Sequence, residues 1–321
     1  MIVAALALAS LGLADTEVTL ARVMTVGEKQ EYAVKSHLAV EARQQGIRTF
    51  VPSELDLLYN FTLDIKVGKA DGIVEARYLR PTMTQIDGET GDSAPRKRVE
   101  KVNLDLSLTV SPVNDILGVK DLTKKDPKKT TGGGDFKFNL PLTENEPDLM
   151  QDFGEYVQEF YRLALFAGSF DSSLDFAPKL PLDAVKPGDT WKRTVGYTPQ
   201  KLSGKEGKSA VQRMDYTYTY VGLADLNGKK VQHVSASLEV STDLAEYYHQ
   251  LFDAKPEQTG LKEMPLFFTG TVNFYLDQKT CNVVMAKAKS QGGFKVVATA
   301  FPTEPLREEK FQGETTMTRI K

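Results

Sequence analysis

The residues with chemical potential fall in short, separate groups. Gly204-Lys205-Glu206-Gly207-Lys208-Ser209 ends in the Gly-Lys-Ser triplet of phosphate-cradling loops. Such a loop needs a further glycine upstream, where this chain has Leu202, and a helix downstream. An alternating Tyr-Thr stretch follows instead, so the segment reads as a polar hairpin loop. Gly132-Gly133-Gly134 lacks the spaced glycines of a dinucleotide site and also reads as a loop. Glu246, His249 and Asp253 share one face of a short helix; this partial ligand set reads better as a solvated face than as a metal site. Cys281 is the only cysteine, and none of His37, His233 and His249 lies in a nucleophile–base signature, so the thiol is read as structural. Neither a Gly-x-Ser-x-Gly elbow nor a His-Glu-x-x-His helix occurs. The acidic residues could act as a glycosidase-like pair only where the fold brings two of them across a groove.

Aromatic residues are the better candidates for ligand contact. Tyr216, Tyr218 and Tyr220 project from one side of a strand. Tyr247, Tyr248 and Phe252 lie in a candidate helix, with Leu266, Phe267 and Phe268 after it. Tyr156 and Phe160 lie on the apolar face of a longer helix. Tyr156, Phe160, Tyr216, Tyr218, Tyr220, Tyr247 and Tyr248 are therefore the expected ligand-binding set, lining an apolar cavity or a stacking platform. Ordinary core packing is the competing reading. Trp191, the lone tryptophan, reads as a strand anchor.

Period-2 alternation must position these groups. Leu57, Tyr59, Phe61, Leu63, Ile65 and Val67 alternate with polar residues, as do Val102 to Val110, Met214 to Tyr220 and Val234 to Val240. Strands of this kind put one face on a core and one in water, as antiparallel sheets do. Ala70-Asp71-Gly72, Leu226-Asn227-Gly228 and Ser290-Gln291-Gly292-Gly293 read as turns. A helical period replaces the alternation after Pro147, with Leu149, Phe153, Tyr156, Val157, Phe160 and Leu163 on one face, and Gly168 ends it. A shorter helix is expected over 243–254, stopped by Pro256. Residues 87–101 and 120–135 are charged and rich in Gly or Pro, and are expected to be surface loops.

The stretches on either side of the long helix look alike. Gly27 to Val34 parallels Gly188 to Val195, the strand from Tyr59 parallels that from Tyr216, and Leu108 to Leu122 parallels Phe274 to Ala288. The pattern is read as a duplicated β-meander about a central helix.

The chain begins MIVAALALASLGLADTE, an apolar run followed by small residues at Gly12 and Ala14. This is read as a secretory signal cleaved near Ala14. No Cys follows it for lipid attachment, and no later run approaches the about 20 apolar residues of a membrane-spanning helix. Lys+Arg 40 against Asp+Glu 43 leaves a charge of −3, without the basic excess of a nucleic-acid binder. Arg96-Lys97-Arg98 and the lysine run at 124–129 read as solvated loops.

Pro181, Val185, Gly188, Asp189 and Trp191, followed by Tyr216-Thr217-Tyr218-Thr219-Tyr220-Val221-Gly222, carry a resemblance. This half of the chain resembles a group of exported, β-rich bacterial proteins of unknown function, in which a V-x-x-G-D-x-W lead-in precedes a Y-x-Y-x-Y strand. The resemblance implies export and a β-rich fold, and transfers no active site.

The expected fold is mainly β and antiparallel: two related β-meanders forming curved sheets or a half-barrel, with one central amphipathic helix. The expected divisions are a signal peptide at 1–14, a first meander at 15–145, the helix at 146–168 and a second meander at 169–321. The expected function is that of an exported, periplasmic or extracellular binding or structural protein of the bacterial envelope, without cofactor or metal, holding a lipid or other apolar molecule between sheet and helix. The alternative is a secreted hydrolase whose carboxylates converge only in the fold.

Overall fold

A computed structural model describes residues 17–88, 96–100, 104–122, 161, 177–197, 212–252 and 254–321. The signal-like segment at 1–14, the glycine cluster, the Gly-Lys-Ser loop and the long helix other than Tyr161 lie outside these residues.

The alternation resolves into one antiparallel sheet. Its strands are β1 (Lys29–Gln44), β2 (Val51–Gly68), β3 (Val74–Arg80), β4 (Met83–Asp87), β5 (Arg96–Glu100), β6 (Leu104–Val110), β7 (Ile116–Asp121), β8 (Thr190–Tyr197), β9 (Gln212–Leu226), β10 (Lys229–Asp243), β11 (Leu261–Glu263), β12 (Pro265–Asp277), β13 (Val283–Ala298) and β14 (Arg307–Arg319). The spatial order is β7-β6-β3-β2-β1-β14-β13-β12-β10-β9-β8. β1 pairs with β14 from Tyr32 opposite Arg319 to Gln44 opposite Arg307, so both meanders belong to one continuous sheet.

Every second residue enters the core. β2 buries Leu57, Tyr59, Phe61, Leu63 and Ile65, and β6 buries Leu104, Leu106, Leu108 and Val110. Each such side chain contributes roughly 1.5–3 kcal/mol relative to exposure. Rings stack across strands: Tyr32 lies 4.9 Å from Phe61, and Phe61 lies 5.0 Å from Tyr78. The sheet curls about this face. β8 and the β6–β7 turn stand at opposite ends of the strand order, yet Arg193 of β8 forms an ion pair with Asp115 of that turn. β7 and β8 do not pair, so the curl is not a closed barrel.

The turns at one end, the base, are bridged by two incoming segments that exchange halves. The segment before β1 reaches the second meander, with Val23 N donating to Thr280 O at 2.8 Å. The segment before β8 reaches the first, with Leu180 N donating to Val113 O at 3.0 Å. The two segments also meet each other, as Val18 and Val185 exchange backbone hydrogen bonds of 2.9 Å. Arg22, 2% exposed, ties the crossing together. Its guanidinium donates to Asn282 Oδ1 at 2.7 Å, Asn114 Oδ1 at 3.2 Å and Gln30 Oε1 at 2.7 Å.

The halves repeat one another in backbone geometry. Left-handed residues recur at matching places: Gly27 and Gly188, Asp71-Gly72 and Asn227-Gly228, Asn114 and Cys281. Bulges recur too, at Lys66 of β2 and Val221 of β9, and at Leu117 of β7 and Val284 of β13. Gly27 N donates to Ile65 O, and Gly188 N to Tyr220 O. These contacts align Ile65 with Tyr220, which displaces by two residues the pairing of Tyr59 with Tyr216 read from sequence. Alternation has a period of two, so a shift of two preserves the pattern and leaves the register undetermined by it.

The charged stretch at 87–101, expected as a loop, is strand at both of its described ends. Asp87 ends β4, and Arg96–Glu100 form β5 opposite it. β5 is an edge strand, where charged side chains remain solvated and discourage further pairing, so its strand character does not show as apolar alternation. At 120–135 the described residues continue β7 to Asp121 rather than starting a loop. The helix expected over 243–254 spans Leu244–Phe252, and Asp243 Oδ1 accepts from Ala245 N at 2.9 Å at its start.

Candidate ligand cavity

At the rim, opposite the base, β1, β2 and the β4–β5 hairpin enclose a cavity of about 540 Å³. β1 keeps its alternation to its end and supplies Leu38, Val40 and Ala42; β2 begins there and supplies Val51, Ser53 and Leu55. Ile47 comes from the connection between them, and Tyr161 and Arg307 complete the wall. The floor is deep and largely apolar, with Leu38 fully buried and Val40 and Tyr161 nearly so, while Ile47 and Val51 are half exposed at the mouth. This volume falls within the range of small-molecule pockets, roughly 300–1,000 Å³.

β14 places a charge inside the fold. Glu309, 1% exposed, accepts hydrogen bonds from the Tyr161 hydroxyl and from Arg307 Nε. Burial, then the neighbouring Glu309 charge and its hydrogen bond, hold the Tyr161 phenol well above its ordinary pKa. Tyr161 is therefore a neutral donor that also lines the cavity, and the buried carboxylate accepts from two donors.

Guanidinium groups surround the mouth. Arg96 and Arg98 share one face of β5, two residues apart, and both line the cavity with Arg43 and Arg307. Arg98 lies 3.1 Å from Asp87, which also accepts from Gln85 Nε2 at 2.8 Å. Arg43 Nε donates to Glu308 Oε2 at 2.9 Å, and its guanidinium lies 5.1 Å from the centre of the Phe50 ring. Glu54 and Asp87 are the carboxylates among the described lining residues, which include no histidine or cysteine. Asp87 is already engaged by Arg98 and Gln85. Apolar binding is what the arrangement can do chemically.

The tyrosines expected to bind ligand are placed elsewhere. Tyr216, Tyr218 and Tyr220 are at most 2% exposed and pack in the core of β9. Tyr218 stacks 5.6 Å from Trp191, whose Nε1 donates to Lys179 O at 2.7 Å, so the tryptophan does anchor the chain leading into β8. Tyr220 donates its hydroxyl to Gln232 Oε1 at 2.6 Å. Tyr248 is buried and Tyr247 half-buried, its phenol pushed up by burial; neither lines the cavity. Tyr156 and Phe160 lie outside the described residues; their neighbour Tyr161 does line it. His249 Nε2 lies 2.9 Å from Thr259 Oγ1, and among the described residues no group of three His, Cys, Asp or Glu could hold a metal. Cys281 is buried and its thiol is pushed up by that burial.

The sequence matches no family model, and no curated protein is similar to it. Among solved structures it is similar to lipovitellin, at 10% identity and a TM-score of 0.43, over 92% of this chain and 25% of that one. The chain thus spans about a quarter of lipovitellin's length. It is also similar to the hypothetical lipoprotein YmcC from Escherichia coli, at 12% identity and a TM-score of 0.22, over 96% of this chain and 92% of that one. A third likeness is to a lipoprotein-sorting protein domain of the outer membrane from Vibrio parahaemolyticus, at 7% identity and a TM-score of 0.16, over 91% and 83% of the two chains. At these scores none of them bears on what this chain binds.

Proposed function

We propose that this is an exported, non-enzymatic binding protein of the bacterial envelope that holds an apolar molecule in the rim cavity. The observation that carries the reading is the cavity itself: an apolar floor of Leu38, Val40, Leu55 and Tyr161 beneath an open mouth. Export rests on the apolar run and small residues at 1–14. The hydrolase alternative needs a carboxylate available for proton transfer beside a second one, and the engaged Asp87 disfavours it.

Titration with the neutral fluorophore N-phenyl-1-naphthylamine tests the reading. Ala42 lies at the cavity wall and is only partly buried, so Ala42→Trp fills the space without repacking the core. Saturable binding to the unmodified protein, weakened about tenfold or more by Ala42→Trp and unchanged by Tyr220→Phe, is the expected result. Absence of saturable binding, or equal binding by Ala42→Trp, contradicts it.

A further inference from the structure

The geometry points to a size gauge: we infer that Tyr161 sets the largest apolar molecule the rim cavity can enclose. This rests on the binding reading above and names the specificity-determining residue of the same site.

Tyr161 is the one described lining residue that comes from neither the strands nor the connections between them. The rest of the apolar wall belongs to paired strands. β1 and β2 set Leu38 opposite Leu55, Val40 opposite Ser53 and Ala42 opposite Val51, and β14 holds β1 from its other side. Such a wall moves only if ladder hydrogen bonds break. Tyr161, nearly fully buried, bounds the same space from outside the sheet. Its place is fixed as well. The hydroxyl donates to Glu309 of β14, which also accepts from Arg307 Nε, and the ring centre lies 6.4 Å from that of Phe294 on β13. Tyr161 lines the cavity and Glu309 does not, so the tyrosine stands between the ligand space and a buried carboxylate. An apolar ligand pushing past it would break a hydrogen bond to that charge and then lie against it. Both cost more than a further buried methylene gains.

The test is displacement of N-phenyl-1-naphthylamine by straight-chain alkanols from octanol to hexadecanol. Each methylene that enters the cavity should tighten binding about fourfold, and the gain should stop once the cavity is filled. Tyr161→Ala removes roughly the volume of three methylenes and should move that stopping point to alkanols about two carbons longer, since the site partly collapses. Tyr161→Trp adds bulk and should move it to alkanols about one carbon shorter or more. Tyr161→Phe keeps the ring without the hydroxyl and should leave it in place. General destabilisation would weaken every alkanol alike and shift the stopping point in neither direction. A stopping point unmoved in Tyr161→Ala or in Tyr161→Trp overturns the role, as does affinity that climbs without a stop in the unmodified protein. Either result leaves apolar binding intact, whereas failure of the probe to bind the unmodified protein removes the binding reading itself.

Discussion

Buried charged residues in this protein are held by specific partners. Glu309 is a buried carboxylate held by Tyr161 and Arg307, and Arg22 is a buried cation held by three neutral amide oxygens. His249 shows how such burial registers in solution. Burial lowers its pKa below the ordinary 6.5, with Asp243 and Glu257 pulling weakly the other way, and Thr259 Oγ1 is its hydrogen-bond partner. The unfolded chain therefore takes up this proton at higher pH than the folded one, and stability falls as pH drops from about 6.5 toward the folded value. Carboxylates held down by partners act later. Asp105 beside Arg77 and Glu314 beside Lys289 lose their contributions only as pH falls below their ordinary values of 3.8 and 4.5. Urea midpoints measured between pH about 7 and about 5 should decline for the unmodified protein and flatten in His249→Gln. An identical decline in the variant would show that His249 is not the group responsible.

At the scale of elements, strands were legible from sequence and their edges were not. Leu57 to Ile65 and Met214 to Tyr220 alternate cleanly because one face is core and the other water. β5 was hidden because an edge strand of Arg, Lys and Glu satisfies a loop's composition as well as a strand's hydrogen bonds. The tyrosine stripe of β9 was read correctly as one face, but nothing in alternation separates a core-facing ring from a ligand-facing one. The cavity was illegible for a further reason: its walls come from β1, β2, β5 and β14, far apart in the chain, and only the topology assembles them. The exchanged segments at the base carry a prediction of their own. Arg22 bonds Asn114 of the first meander and Asn282 of the second, so Arg22→Leu orphans buried amides in both. It should cost about 3 kcal/mol and speed hydrogen exchange at both 111–115 and 277–282. Faster exchange confined to the segment before β1 would contradict the shared role.

Over the whole molecule, two geometrically matching meanders make one curled sheet, joined at β1–β14 and laced at the base by exchanged segments. The base is tied by many backbone hydrogen bonds, and the rim carries the cavity. The frame is thus laced at one end and open at the other. Conformational change is not needed for binding there, since the floor is already formed by Leu38, Val40 and Leu55. The most direct measurement is native mass spectrometry of the protein purified gently from its own cells. The account predicts a co-purified apolar molecule, retained by the unmodified protein and lost from Ala42→Trp. A clean mass for the unmodified protein, with no uptake of N-phenyl-1-naphthylamine when it is added, would contradict it.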